Sequence, residues 1–130
     1  MNIAIAHMEK MREAERLMAD TCRDTDGVYG MLLCTSDGQA QATYIERQEQ
    51  GGRLSAMSSS LLALAETIAR ETRQQQCRYV ILDNTDGFVV SLRVDSRLTL
   101  TCLGNQRINL GMLLSTSKMT AERLQQLIHQ

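Results

Sequence analysis

Cys77-Arg78-Tyr79-Val80-Ile81-Leu82-Asp83, Phe88-Val89-Val90-Ser91-Leu92-Arg93-Val94 and Leu98-Thr99-Leu100-Thr101-Cys102-Leu103 decide the fold. Each run is short and returns to a period of two, the spacing of a strand with one face buried. Asn84-Thr85-Asp86-Gly87 and Asp95-Ser96-Arg97 separate them, and both are hairpin-compatible turns. Hairpin-linked strands run antiparallel. Upstream, Val28-Tyr29-Gly30-Met31-Leu32-Leu33-Cys34 is nearly all apolar and reads as a strand covered on both faces. The turn signal Ser36-Asp37-Gly38 leads into Gln39-Ala40-Gln41-Ala42-Thr43-Tyr44-Ile45, whose alternation suggests an exposed strand. Helical spacing marks residues 5–22, 54–73 and 110–128. The expected order is α-β-β-α-β-β-β-α, an α+β single domain over residues 1–130 with a five-stranded antiparallel sheet and helices on its faces.

Composition narrows the function. The chain has 130 residues and a formal net charge of -1, so no basic field draws in nucleic acid or anionic lipid. Aromatic residues make up 3%, too few for a stacking platform. No apolar run reaches the ~18 residues of a membrane span. Residues 1–7 lack the basic region and apolar core of a signal peptide, so a cytoplasmic location is expected. The four cysteines form no C-x-x-C pair and the two histidines, His7 and His129, lie at the chain ends. Neither zinc nor an iron–sulfur cluster fits that spacing. No metal or cofactor is expected.

Catalytic patterns also fail. Aligned on Gly27, a calcium loop would begin at Cys22 and end at Leu33; aligned on Gly87, at Leu82 and Arg93. None of these supplies the required oxygen, so both Asp-Gly sites are turns. Gly51-Gly52-Arg53 lacks the phosphate-loop pattern and reads as a loop entering a helix. Ser58-Ser59-Ser60 has no nucleophile elbow. Cys34 and Cys102 sit in strands, where core packing is the default and reactivity needs a basic neighbour. No catalytic residue is assigned, and a binding or scaffolding module is the expectation.

The helix 54–73 has three arcs. Leu54, Met57, Leu61, Leu64 and Ile68 read as the core face, and Ser55, Glu66, Arg70 and Arg73 as a polar arc. Ala56, Ser60, Ala63 and Thr67 form an uncharged stripe of small residues that a second backbone can approach closely. The alternative is ordinary helix-forming filler. If the run 77–83 lies at a sheet edge, a symmetric partner strand at Tyr79–Ile81 would satisfy its backbone and bring two stripes together. The dimer candidates are therefore Ala56, Ser60, Ala63, Thr67, Tyr79 and Ile81.

Gly27–Leu33 followed by Ser36-Asp37-Gly38, Leu54–Leu64, Asp86-Gly87 and Ile108-Asn109-Leu110-Gly111 together resemble the roadblock family, the dynein light-chain relatives with a profilin-like fold. The resemblance spans about residues 8–128. It implies a homodimer or heterodimer whose sheets join edge to edge and whose central helices pair. It also implies binding and regulation of a Ras-like small GTPase, or scaffolding in motor and signalling complexes; gliding-motility members accelerate a partner's GTP hydrolysis without donating an arginine finger. Ser59, Leu62, Glu66 and Arg70 are the candidates for partner contact. The chain departs from the family in its polar run 39–45 and in the Gln- and Glu-rich loop 46–50. Three alternatives remain open: a small-molecule sensor, a structural scaffold subunit without a GTPase, and an enzyme using Cys34 or Cys102.

Overall fold

The two most completely buried strands lie at the middle of the sheet. A computed structural model describes residues 2–46 and 51–130. The chain runs α1 (Ile3–Asp24), β1 (Val28–Thr35), β2 (Ala40–Ile45), α2 (Gly51–Glu71), β3 (Val80–Asn84), β4 (Gly87–Arg93), β5 (Leu98–Asn105) and α3 (Leu110–Ile128). The order and the α+β class are those expected. All five strands form one antiparallel sheet, ordered β2-β1-β5-β4-β3. β1 and β5 are buried along almost their whole length, which suits strands flanked and covered on both faces. β2 and β3 are the edges.

Helices α1 and α3 pack on each other and on one face of the sheet, while α2 contacts all five strands. The main core lies between the sheet and the α1–α3 pair: Met18, Met31, Leu33, Val90, Leu100, Cys102, Leu113 and Leu124 are all buried there. Local chemistry sets the ends of these helices. Asn2 Oδ1 accepts from the Ala4 N–H at 2.9 Å, and Asn109 Oδ1 accepts from the Met112 N–H at 2.8 Å, satisfying donors that a helix start leaves free. Gly27 turns the chain out of α1 at φ +95°, and a Cβ there would lie 2.7 Å from the Ile108 side chain. That confirms the turn at Asp26-Gly27 and explains why only glycine fits.

Two boundaries around α2 differ from expectation. Helix α2 starts at Gly51, so Gly51 and Gly52 belong to its first turn. Strand β3 starts at Val80, because α2 closes with the Gln74 N–H on Ala69 O and the Arg73 N–H on Arg70 O. This is a Schellman ending with an arginine, at φ 58°, in the left-handed position glycine usually takes. Residues 72–79 then carry the chain to the sheet edge. Of the loop 46–50, residues 47–50 lie outside the described residues.

The orientation of α2 is the main correction. Its inward residues are Ser55, Ser58, Ser59, Leu62, Glu66 and Ala69, all buried. Met57, Leu64 and Ile68, read from the sequence as core, are more than half exposed. The reason lies in the sheet: Cys34, Ser91, Thr99 and Thr101 present a polar layer beneath α2. The helix turns its hydroxyls and Leu62 to that layer, and Met57, Leu64 and Ile68 point away.

Candidate interaction face

Hydrogen bonds hold α2 to the sheet. Cys34 Sγ lies 3.0 Å from Thr99 Oγ1 and 3.4 Å from Ser59 Oγ, and the Ser59 hydroxyl donates to Thr35 O at 2.9 Å. Ser91 and Thr101 hydroxyls meet at 2.8 Å. Further along the helix, Arg93 Nε donates to Glu66 Oε1 at 3.0 Å. This guanidinium holds the Glu66 carboxyl below the usual carboxylate range, outweighing the opposite push from burial. Among the described residues no buried side-chain polar atom lacks a partner. The seam is polar but fully satisfied, so it costs little to bury.

The outward face of α2 is consequently apolar and uncovered. Ala56, Met57, Ser60, Leu61 and Leu64 line a shallow groove of about 440 Å³, and the exposed Ala63, Thr67 and Ile68 continue the same face. The Thr67 hydroxyl donates back to Ala63 O at 3.1 Å, which reduces its demand for an outside partner. Val80 and Leu82 of β3 pair with Ser91 and Val89, so by strand alternation they share the α2 side of the sheet. Leu82 is partly exposed there. Clustered exposed apolar side chains of this kind mark an interaction surface.

Strand β3 adds an unpaired backbone. Its two-residue turn makes Asn84 and Gly87 the hydrogen-bonded closing pair of the hairpin. Alternation then places Leu82 and Val80 in the ladder to β4, and leaves the backbone groups of Ile81 and Asp83 facing outward. Ile81 is exposed; Tyr79 is half-buried on the α3 side, with Lys118 Nζ 5.0 Å from its ring centre. No proline guards the strand and its one charge is Asp83, little protection for an edge left in water.

The candidate residues thus separate. Ala56, Ser60, Ala63 and Thr67 share one exposed face of α2, and Ile81 stands on the free edge of β3. Ser59, Leu62 and Glu66 are corrected as partner contacts: they are buried against the sheet, since the polar layer takes that side of the helix. Arg70 remains exposed. Met57, Leu64 and Ile68 were missed as surface residues. The signal for them was the Ser-rich arc of α2 matching the Thr and Ser positions of β4 and β5.

Other chemistry is thinly supported. Burial pushes the Cys22 and Cys102 thiols up to about 12, the wrong direction for a thiolate nucleophile. Cys34 has hydroxyls and a carbonyl as its hydrogen-bonding neighbours. A thiol reagent applied to the native protein is expected to label the half-buried Cys77 and spare buried Cys22, Cys34 and Cys102. Native labelling of Cys34 or Cys102 would instead favour the nucleophile reading. Among the described residues no His, Cys, Asp and Glu group is arranged to hold a metal. An open cleft of about 540 Å³, lined by Tyr29, Glu46, Asp86, Asn105, Gln106 and Arg107, lies at one end of the sheet. It is polar and charged, unlike the apolar enclosure of a small-molecule sensor. No described helix is long and apolar enough to cross a membrane.

The family model described as Roadblock/LC7 domain matches residues 16–104. This chain belongs to the Roadblock/LC7 family. No curated protein matches this Roadblock/LC7 chain by sequence. Its fold is similar to the Roadblock/LC7 domain from Streptomyces avermitilis, at 14% identity over 89% of this chain and 98% of that one, with a TM-score of 0.81. It is similar to the gliding protein MglB of Thermus thermophilus at 14% identity, over 92% and 91% of the two chains, with a TM-score of 0.83. Profilin II of Acanthamoeba castellanii shares the fold at 16% identity, over 86% and 96%, with a TM-score of 0.65. These likenesses establish a profilin-like Roadblock/LC7 fold.

Proposed function

We propose that this Roadblock/LC7 chain is a homodimeric regulator or scaffold for a Ras-like small GTPase, activating or localising it as a protein-binding module with no active site of its own. The observation that carries the reading is the uncovered apolar face of α2 beside the unpaired edge of β3. A second copy covers both at once. Two β3 edges pair across a two-fold axis into one continuous sheet, and two α2 faces meet over it through Ala56, Ser60, Ala63 and Thr67. Small residues at the centre let the helices approach closely, while Met57, Leu64 and Ile68 lose their exposure to water. The small GTPase is the partner class that the family resemblance implies, and the exposed Arg70 is the remaining candidate for its contact.

The test is affinity capture from the source organism's lysate, run in parallel with GDP and with a non-hydrolysable GTP analogue. A small GTPase enriched in one nucleotide state is the expected result, and it identifies the state that is read. Capture of the chain alone, or of unrelated proteins equally in both conditions, would leave a dimeric scaffold without a GTPase.

A further inference from the structure

Two opposite charges near the free edge of β3 have no counterion within ion-pair distance among the described residues. Asp83 is exposed on the strand and makes no described hydrogen bond or ion pair. Lys118 is exposed on α3, its ammonium over the Tyr79 ring and no described carboxylate bonded to it. It lines a groove of about 450 Å³ between α3 and the strand edge, where Arg78 and Arg93 are the other cations and Glu122 is the one carboxylate. Arg93 is already paired with Glu66, and the groove keeps a surplus of positive charge. Asp83 does not reach it within its own chain: the strand carries it away from Tyr79 by four residues, roughly 13 Å of extended backbone.

A second copy brings the missing anion. Val80 and Leu82 face α2, so Tyr79, Ile81 and Asp83 share the α3 side, and alternation turns their backbone groups to the open edge. Two β3 edges running antiparallel about a two-fold axis at Ile81 set Ile81 against Ile81, Val80 against Leu82 and Tyr79 against Asp83. Apolar side chains then meet apolar ones, and each carboxylate arrives beside the ring that carries Lys118. An axis at Leu82 would set Ile81 against Asp83 instead. An axis at Asp83 would oppose two carboxylates directly, which is destabilising. We propose that Asp83 of each protomer pairs with Lys118 of the other, beside the Tyr79 ring, and that this reciprocal ion pair fixes the register in which two β3 edges join. Opposed residues on neighbouring strands hold their Cβ atoms about 5 Å apart, which brings the carboxylate within reach of the ammonium over Tyr79. The inference rests on the homodimer reading and deepens it by naming the charged contact that sets the pairing.

Light scattering over a concentration series tests the pair, with Lys118→Glu and Asp83→Lys measured separately and then mixed. Alone, each variant sets like charges together twice across the axis, and a dimer dissociation constant raised at least about tenfold is expected. Mixed in equal amounts, the two variants form a heterodimer in which both charge pairs are opposite again, and a constant within about threefold of the wild type is expected. A mixture no tighter than the separate variants would overturn the proposal, as would single variants that dimerise like the wild type. Both side chains are exposed, so the circular dichroism of each variant is expected to match the wild type. Should Lys118→Glu disturb its own chain through Tyr79, the uncharged cycle of Asp83→Asn, Lys118→Met and their combination decides. A double loss no greater than either single loss supports the pair, and additive losses reject it. A monomeric wild type would remove the homodimer reading and this contact with it, whereas a dimeric wild type without rescue in the mixture removes the contact alone.

Discussion

Ala63→Arg is expected to convert the proposed dimer into a folded monomer. Ala63 is exposed, near the middle of the α2 face, between Ser60 and Thr67 on the small-residue stripe. In the single chain the new side chain extends into water, and arginine is nearly as good a helix former as alanine, so melting of the monomer changes little. In the dimer the position is doubled by the two-fold axis, and two guanidinium groups enter a closely packed, uncharged contact. An unpaired buried charge costs about 3–5 kcal/mol. At about 1.4 kcal/mol per tenfold, the dissociation constant rises by roughly two to four orders of magnitude. Light scattering across a concentration series reads this directly. A variant that stays dimeric at micromolar concentration places the interface away from the helix face.

Placing proline at the strand edge probes the other half of the same surface. Ile81→Pro removes the N–H that faces outward from β3, and leaves in place the Val80 and Leu82 bonds to β4. Proline is tolerated on such an edge, where no bond within the chain is lost. Across a two-fold axis the missing donor counts twice, at about 0.5–1.5 kcal/mol for each net hydrogen bond. The pyrrolidine ring also crowds the incoming strand. A dissociation constant raised by at least about tenfold is expected, with an unchanged circular dichroism spectrum. If the protein remains an intact dimer, β3 does not pair with a second chain. Loss of fold would contradict the register that points Ile81 away from β4.

These two variants act on one surface through different forces, and their costs depend on how well α2 and β3 are held together. Polar contacts hold α2 to the sheet that carries β3: the Cys34–Thr99–Ser59 cluster near the start of α2, and the pair of Glu66 with Arg93 of β4, the neighbour of β3, near its end. A seam of hydroxyls, Leu62 and one ion pair leaves Met57, Leu64 and Ile68 of α2 free for an outside partner. The methionines divide between core and surface. Met11, Met18 and Met31 fill the main core, whereas Met57, Met112 and Met119 are exposed, so methionine serves surfaces here as well as packing.

The strands were legible because each run carries its own evidence. Val28–Cys34 is apolar at nearly every position, which only a strand flanked and covered on both faces requires, and β1 occupies that place. Asp86-Gly87 announced a tight turn, and the hairpin closes there on a position that only glycine fits, since a Cβ at residue 87 would strike Gly104 O at 2.2 Å. The spacing of Ala56, Ser60, Ala63 and Thr67 identified a single helix face that is indeed exposed. The partner candidates on the opposite arc were not legible. Ser59, Leu62 and Glu66 read as surface residues until the sheet beneath them is known to be polar.

Local patterning by itself determined the number, order and type of the elements, since turn chemistry and periodicity act over a few residues. Only the tertiary structure decided which side of α2 faces inward. Periodicity shows that a helix has a face, but the neighbour selects it, and here Cys34 and Thr35 on β1 take up Ser55 and Ser59 of α2, leaving Leu64 outside.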